Sequence, residues 1–258
     1  MQTPTGSSEA ADRAAALPEG WRPAAPAYVG VGTARSGTTW WDRLINCHPD
    51  VVRLPGTPKE AHFFDPLWER GLEEADIARY HALFARPEGR SSGEWTPGYM
   101  LDVWTPALLR QAAPEARLLV LLRDPVERFR SGRTLAENRF TVGSTARAAA
   151  NAAFSRGIYA DQLLRLWSAF PREQTLVLQY ERCVADTGAQ LARTFEFLGL
   201  DAHVPAIELD QRVNASRGPK VTLSAWQEDM LVRGYAPENE RLARLLPELD
   251  LSLWSTPS

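Results

Sequence analysis

Cysteine and histidine are scarce in this chain of 258 residues. Two cysteines and four histidines are spread along the sequence, without the close spacing that metal ligands show. The sequence therefore offers no pattern for a metal site, and we expect no metal. Cys47 and Cys183 lie in helix-like or strand-like contexts and need not pair, a usage that favours a reducing cytoplasm.

Long apolar runs are absent as well. The longest, Leu118 to Leu122, has five residues, whereas a helix that spans a bilayer needs about twenty. The sequence thus predicts no membrane span. Residues 1–26 are rich in Ala, Pro, Ser and Glu and lack a basic stretch leading into an apolar core. They predict a disordered tail rather than a secretory signal.

The chain also lacks an excess of basic charge. Its formal net charge of −3 at pH 7 argues against a protein that coats nucleic acid, which would carry a broad basic surplus. Its apolar fraction of 44% is enough to bury a sizeable interior. We therefore expect one globular domain over residues 27–258, with the oligomeric state left open.

The most informative segment, Tyr28 to Trp40, has the layout of a phosphate-binding loop. It predicts a short buried strand, a glycine-punctuated turn from Gly32 to Gly37 and an amphipathic helix from Thr38 to Cys47. Backbone N–H groups at such a helix start bind anions. Thr38 occupies the place of the lysine in the ATP-binding pattern G-x-x-x-x-G-K-[ST], and the cation of this loop is Arg35. We therefore expect an anion other than an ordinary nucleoside triphosphate.

A second junction of strand and helix lies between Arg117 and Ser131. The apolar run predicts a buried parallel strand, after which Asp124 suits the N-cap and Pro125 the first turn of a helix. Arg123 then lies at the carboxyl end of the strand, where open α/β sheets bind ligands. Ser131 follows about two helical turns later and could face the same anion.

The rest of the chain alternates between strand and helix patterns. Strands are predicted at 28–31, 92–95, 117–122 and 175–180, and helices at 38–47, 73–84, 103–112, 159–170 and 186–198. This alternation predicts the α/β class, with a mainly parallel central sheet flanked by helices. Residues 138–156 favour either a lid over the ligand or an Ala-rich helix that packs on the sheet.

On these motifs the chain resembles the sulfotransferase family that uses 3′-phosphoadenosine 5′-phosphosulfate (PAPS), in the branch with heparan sulfate sulfotransferases and many bacterial enzymes. The resemblance runs from about Tyr28 to Trp254. Arg35-Ser-Gly-Thr-Thr39 matches the family's [KR]-x-G-T-x loop for the 5′-phosphosulfate, and Arg123 with Ser131 matches its 3′-phosphate pair. Further matches are His48-Pro-Asp50, Lys59-Glu-Ala-His-Phe-Phe-Asp65, Glu94-Trp-Thr-Pro-Gly-Tyr99, Asn214-Ala-Ser-Arg-Gly218 and Tyr235-Ala-Pro-Glu-Asn239.

The resemblance implies a P-loop-like sheet of about five strands, PAPS as donor and 3′-phosphoadenosine 5′-phosphate (PAP) as product. Glu60 matches the general base of the heparan sulfate enzymes, while other members use a histidine, which keeps His62 as an alternative. The pairing of Glu60 with Lys59 or Arg53 in a purely structural role is a third reading. The residues expected to bind the nucleotide are Arg35, Ser36, Gly37, Thr38, Thr39, Trp40, Arg123, Ser131, Arg217 and Gly218.

Trp40 carries an alternative, and Arg35 departs from the family's usual residue. Trp40 matches a position that stacks on adenine in some members, but an indole at a helix start can equally be core packing. Arg35 is expected to stabilise charge on the leaving phosphate. Because an arginine is permanently cationic, it is a poor proton donor, unlike the lysine that is commoner in the family.

The acceptor is expected to contact Trp95, Tyr99 and His62. Trp95 stands where the heparan sulfate enzymes carry a lysine, and this loss of a cation disfavours an acidic polysaccharide. An aromatic ring suits a sugar face or a flat small molecule, as in natural product modification, although Trp95 could also be core. An ATP-dependent P-loop phosphotransferase and a non-catalytic nucleotide-binding protein remain as alternative functions.

Overall fold

The computed structural model describes residues 17–139, 145–206 and 221–255. Their central sheet contains β1 (Tyr28–Gly32), β2 (Gly93–Trp95), β3 (Arg117–Leu122) and β4 (Thr175–Gln179). All three strand pairings are parallel, in the order β2-β1-β3-β4. The α/β class and all four strands predicted from the sequence are confirmed. The fifth strand that the family resemblance implies is not among the described residues.

Helices surround this sheet and connect its strands. They are α1 (Thr38–Ile45), α2 (Glu74–Leu83), α3 (Thr105–Ala112), α4 (Pro125–Arg139), α5 (Thr145–Ser155), α6 (Tyr159–Ala169), α7 (Tyr180–Ala185), α8 (Thr187–Leu198) and α9 (Ala225–Leu245). Short 3₁₀ turns occur at Asp65–Glu69, Arg172–Gln174 and Leu251–Leu253. No helix in the described ranges is long and apolar enough to cross a membrane.

The sheet separates two layers of core. Side chains alternate along β3, so that Leu118 and Val120 pack into one hydrophobic cluster while Leu119 and Leu121 pack into another. The first cluster includes residues of α3, α6 and α9, and the second includes residues of α1 and α8. A sheet buried on both faces explains why β3 reads as a continuous apolar run. Its carboxyl edge is left to the loops that carry polar residues.

The segment at 138–156 contains the end of α4 and all of α5, while residues 140–144 lie outside the described ranges. The ring of Phe154 stacks on Tyr235 of α9, with 4.5 Å between centroids and 20° between planes. Gly157 lies so close to Tyr235 that an added Cβ would meet the tyrosine ring at 2.7 Å. This packing favours the interpretation of the segment as an Ala-rich helix rather than a lid. The helix packs against α9, however, and not directly on the sheet as expected.

Candidate active site

The turn after β1 has the backbone conformation of an anion-binding loop. Gly37 caps α1 with φ = +91° in the left-handed region, where an added Cβ would also meet the Tyr180 ring at 2.8 Å. Ser36 is fully buried, and its Oγ lies 2.5 Å from Thr33 Oγ1. The N–H of Thr33 donates to the Leu121 carbonyl at 3.1 Å, which fixes the turn to β3.

The second junction follows the sequence prediction closely. Asp124 Oδ1 accepts from the N–H of Val126 at 2.8 Å and thus caps α4. Arg123 lies at the carboxyl end of β3, with its guanidinium carbon 4.8 Å from the centroid of the Tyr180 ring. Its Nη2 lies 3.6 Å from Glu127 Oε2, a separation typical of a loose ion pair.

These two junctions meet at one edge of the sheet. Arg35 Nε donates to Ser131 Oγ at 3.1 Å, and Arg123 Nη1 donates to the Arg35 carbonyl at 3.3 Å. Arg35 has φ = +72°, a conformation that a non-glycine residue adopts only when its surroundings hold it. Two arginines, a serine hydroxyl and the start of α1 therefore form one cationic cradle.

A further cation reaches this cradle from a different part of the chain. Lys59 Nζ donates to Thr38 Oγ1 at 3.2 Å and to Glu60 Oε1 at 2.8 Å. The Lys59 side chain is 15% exposed. Thr38 is the first residue of α1, so the ammonium lies at the helix N-terminus. Sequence reasoning considered Lys59 only as a partner of Glu60, because the loop pattern gives no signal for a cation supplied from outside it.

Glu60 and His62 lie together on the exposed side of the lysine. His62 Nε2 lies 3.3 Å from Glu60 Oε2, and Nδ1 lies 2.9 Å from Asp65 Oδ2. Both ring nitrogens can donate to these carboxylates only when the imidazole is protonated. The sequence predicted that the two side chains would share a face of an extended segment. They do meet, but through a turn in which His62 has φ = +49°.

A second segment of the chain holds this turn in place through its side chains. Glu94 Oε2 accepts from the N–H of Ala61 at 3.0 Å, and Thr96 Oγ1 accepts from the N–H of His62 at 3.4 Å. The Tyr99 hydroxyl accepts from the N–H of Phe63 at 2.9 Å. Glu94 is fully buried, and this burial raises the pKa of its carboxyl group above the ordinary value.

Three aromatic residues expected at the site lie inside the protein. Trp95 is fully buried, with its ring over Gly30 and its Nε1 donating to the Gly32 carbonyl at 3.1 Å. Tyr99 and Trp40 are 1% and 2% exposed. The placement of Trp95 and Tyr99 corrects the expectation that both rings touch the acceptor, because neither presents a face to solvent. The placement of Trp40 favours core packing over adenine stacking.

The remaining predicted residues divide into two groups. Thr39 is half-buried in the first turn of α1, beside Thr38. Arg217 and Gly218, expected to close over the nucleotide, lie outside the described residues. Within the described ranges, no group of three or more His, Cys, Asp or Glu residues has the arrangement of a metal site.

A parallel sheet with two strand-to-helix loops that meet at its carboxyl edge defines a P-loop-like α/β protein. The profile described as "Sulfotransferase domain" matches residues 28–218, and the chain belongs to this sulfotransferase family.

The relatives agree with this assignment. The chain is 32% identical over 187 residues to heparan sulfate glucosamine 3-O-sulfotransferase 6 of Homo sapiens, covering 68% of this chain and 52% of the relative. It is 29% identical over 188 residues to the human 3-O-sulfotransferase 3B1, covering 68% and 46%. It thus spans about half the length of the curated relatives it matches. A crystal structure of a sulfotransferase from Alicyclobacillus acidocaldarius has a TM-score of 0.71 at 26% identity, covering 90% of this chain and 99% of that one.

Proposed function

We propose that this protein is an enzyme that transfers a sulfuryl group from PAPS to a hydroxyl group of a small-molecule or glycoside acceptor. The observation that carries the proposal is the contact of Arg35 Nε with Ser131 Oγ at 3.1 Å. It joins the loop expected to bind a 5′-phosphosulfate to the helix expected to bind a 3′-phosphate. A nucleotide with anionic groups at both ends fits such a pair of sites, whereas an ordinary nucleoside triphosphate uses only one.

The donor would lie along the carboxyl edge of β1 and β3. The start of α1 and Arg35 would hold the 5′-phosphosulfate, and Arg123 with Ser131 would hold the 3′-phosphate. When bound, the donor supplies an activated sulfuryl group. The protein then has to align that group with the acceptor oxygen, stabilise charge on the leaving phosphate and remove the acceptor's proton.

The geometry supports Glu60 as the base that removes this proton, and His62 as the alternative. Both nitrogens of His62 face carboxylate oxygens, at 3.3 Å and 2.9 Å. The ring would have to leave one of these partners before it could accept a proton. A Glu60 carboxylate keeps further lone pairs beside its contacts with Lys59 and His62, so it can accept a proton without such a change. Glu60 is 39% exposed, so an acceptor hydroxyl can reach it.

The surface beside Glu60 supports a neutral acceptor that contains a ring. Asp65 and Trp68 lie three residues apart in the turn Asp65–Glu69, and residues at this spacing share a face of a 3₁₀ helix. Trp68 is 63% exposed, and the centroid of its ring lies 6.3 Å from that of the Trp104 ring. Trp68 therefore offers the aromatic face that the buried Trp95 does not.

The charges on this surface disfavour an anionic polymer. Burial raises the pKa of Asp102 and the Asp65 carboxylate raises it further, while Arg156 and His62 lower it, which places two acidic groups near each other on this surface. A sulfated or carboxylated chain would be repelled by both when they are ionised. An uncharged glycoside or small aromatic alcohol would meet no such repulsion and could stack on Trp68.

Calorimetry with PAP, AMP and ATP tests the donor without knowledge of the acceptor. We expect the wild type to prefer PAP, and Arg123→Ala to weaken PAP binding by about tenfold or more because a charged hydrogen bond is lost. Arg90→Ala is the control, since Arg90 is an exposed arginine paired with Asp50 away from the loops. Equal or tighter binding of ATP would contradict the proposal and favour an ATP-dependent phosphotransferase.

A further inference from the structure

The structure brings a second cation, besides Arg35, to the helix start where the leaving phosphate is expected. The lysine position of the ATP-binding pattern is Thr38, and the cation of the loop itself, Arg35, extends its Nε to Ser131. That contact directs this nitrogen towards the 3′-phosphate half of the cradle. The chain has two lysines, Lys59 and Lys220. Of these, Lys59 is the one within the described ranges, and its ammonium lies at the start of α1.

The position of Lys59 is fixed from several directions. Its carbonyl accepts from the N–H of Trp95 at 2.8 Å, which ties the backbone to the end of β2. Its Nζ bonds Thr38 Oγ1 at 3.2 Å and Glu60 Oε1 at 2.8 Å. The ammonium therefore lies between the first residue of the anion-binding helix and the carboxylate proposed as the base.

We propose that Lys59 supplies the positive charge that binds the 5′-phosphate of the donor, in the place that the loop's own sequence leaves to Thr38. The inference rests on the proposed function. In an ATP-binding loop the lysine reaches the phosphates from within the loop. Here an ammonium carried by a separate segment comes to the same helix start and replaces it.

The charge matters most as the sulfuryl group leaves. The bond from sulfur to the phosphate oxygen breaks, its electron pair stays on that oxygen, and sulfur bonds the acceptor oxygen while Glu60 takes the acceptor's proton. An ammonium beside the phosphate stabilises the charge that develops there. Because Lys59 also pairs with Glu60, a phosphate that attracts the ammonium loosens its hold on the carboxylate. Donor binding would then free the base for the acceptor.

Two nucleotides that differ by one phosphate test this role by calorimetry. PAP carries the 5′-phosphate, and adenosine 3′-monophosphate (3′-AMP) lacks it. We expect Lys59→Met to weaken PAP binding by about tenfold or more and to leave 3′-AMP binding within about twofold of wild type. Lys59→Arg should restore most of the PAP affinity, since it restores the charge. Arg90→Met is the matched control for removing an exposed cation and should change neither affinity.

The possible outcomes distinguish a failure of the role proposed for Lys59 from a failure of the proposed function. Wild-type protein that does not prefer PAP over AMP and ATP would overturn the proposed function. Wild-type protein that binds PAP tightly, with unchanged affinity in Lys59→Met, would overturn only the role of Lys59. Equal losses for PAP and 3′-AMP would also overturn it, because a general disturbance of the site would then explain both. Thermal unfolding of each variant checks that the fold is intact.

Discussion

At the scale of single residues, the charged groups of the site already have partners inside the protein. Lys59 bonds Glu60 at 2.8 Å, and His62 lies between Glu60 and Asp65. A carboxylate that contacts both an ammonium and an imidazole is held in one orientation. Each pair can therefore be tested by removing one charge while the shape is kept.

Glu60→Gln tests the proposed role of Glu60 as the base directly. We expect turnover to fall about a hundredfold or more, as for the loss of a general base, while PAP affinity is retained. Steady-state kinetics with PAPS and a responsive hydroxyl acceptor provide the measurement, and His62→Gln is the comparison. Turnover that stays close to wild type in Glu60→Gln would mean that Glu60 serves only to pair with Lys59.

Gly37→Ala tests the backbone of the loop. We expect a loss of stability from two sources: a left-handed residue with a Cβ costs about 1–2 kcal/mol, and the Cβ would meet the Tyr180 ring at 2.8 Å. Gly56→Ala isolates the first source, because Gly56 also has positive φ but no atom within 4 Å of an added Cβ. Denaturant unfolding of both variants should rank Gly37→Ala as clearly less stable. Equal losses would mean that Tyr180 moves aside freely.

At the scale of elements, the turn from Lys59 to Asp65 owes its shape to the segment from Glu94 to Tyr99. Side chains of the second segment accept three successive backbone N–H groups of the first, those of Ala61, His62 and Phe63. The left-handed φ of His62 is held by these bonds rather than by local preference. The motif that includes Trp95 therefore acts as a scaffold for the segment that carries Glu60 and His62.

Tyr99→Phe removes one of these three acceptors. We expect a loss of about 1–3 kcal/mol in unfolding free energy, because the N–H of Phe63 is left without its partner. Tyr28→Phe is the matched control: Tyr28 is equally buried, and its hydroxyl accepts no backbone N–H group within the described residues. Urea unfolding should therefore find Tyr28→Phe close to neutral. Similar losses in both variants would contradict the scaffold role of Tyr99.

Strands and helices whose apolar residues follow a regular pattern could be predicted from the sequence. The apolar runs at β1, β3 and β4 predicted buried parallel strands, and Asp124 was recognised as the cap of α4. Helix α9 was missed because Gly234 and Pro237 interrupt its pattern, although Ser224 and Gln227 form a capping box that could have revealed it.

The site was predicted only in part. The positions of the two loops that are expected to bind anions follow from local patterns, and so does the closeness of Glu60 and His62. The approach of Lys59 to Thr38, the burial of Trp95 over Gly30 and the exposure of Trp68 depend on how distant segments pack. No local spacing encodes such contacts, because each depends on a partner more than about 20 residues away or on the tertiary fold around it.

At the scale of the whole molecule, an acidic group outside the site contributes to stability against acid. Asp76 is buried at the start of α2, where it accepts from Arg70 Nη1 at 2.7 Å and from the N–H of Glu73 at 3.0 Å. The Arg70 hydrogen bonds hold the pKa of Asp76 below its ordinary value. A carboxyl group with a lowered pKa in the folded state stabilises the protein above its unfolded pKa, and this contribution is lost as pH falls.

Asp76→Asn tests this contribution. We expect the variant to be less stable than wild type near pH 7 and the difference to shrink as pH falls below about 4, the ordinary pKa of aspartate. Urea unfolding at a series of pH values measures it. Asp229→Asn is the control, since Asp229 pairs with Arg233 on an exposed helix face. A difference that is constant with pH would show that Asp76 acts only through its shape.

The contact between Arg35 and Ser131 joins residues 96 positions apart. The residues of this binding site are far apart in sequence, so their contacts have high contact order. The site therefore cannot form during folding before β1 has paired with β3. A nucleotide that binds there would bind only chains in which the sheet has formed. By mass action it would shift the equilibrium between partly folded and folded protein towards the folded state. The supply of donor nucleotide would then set how long the protein survives proteolysis in the cell, as well as how fast it works.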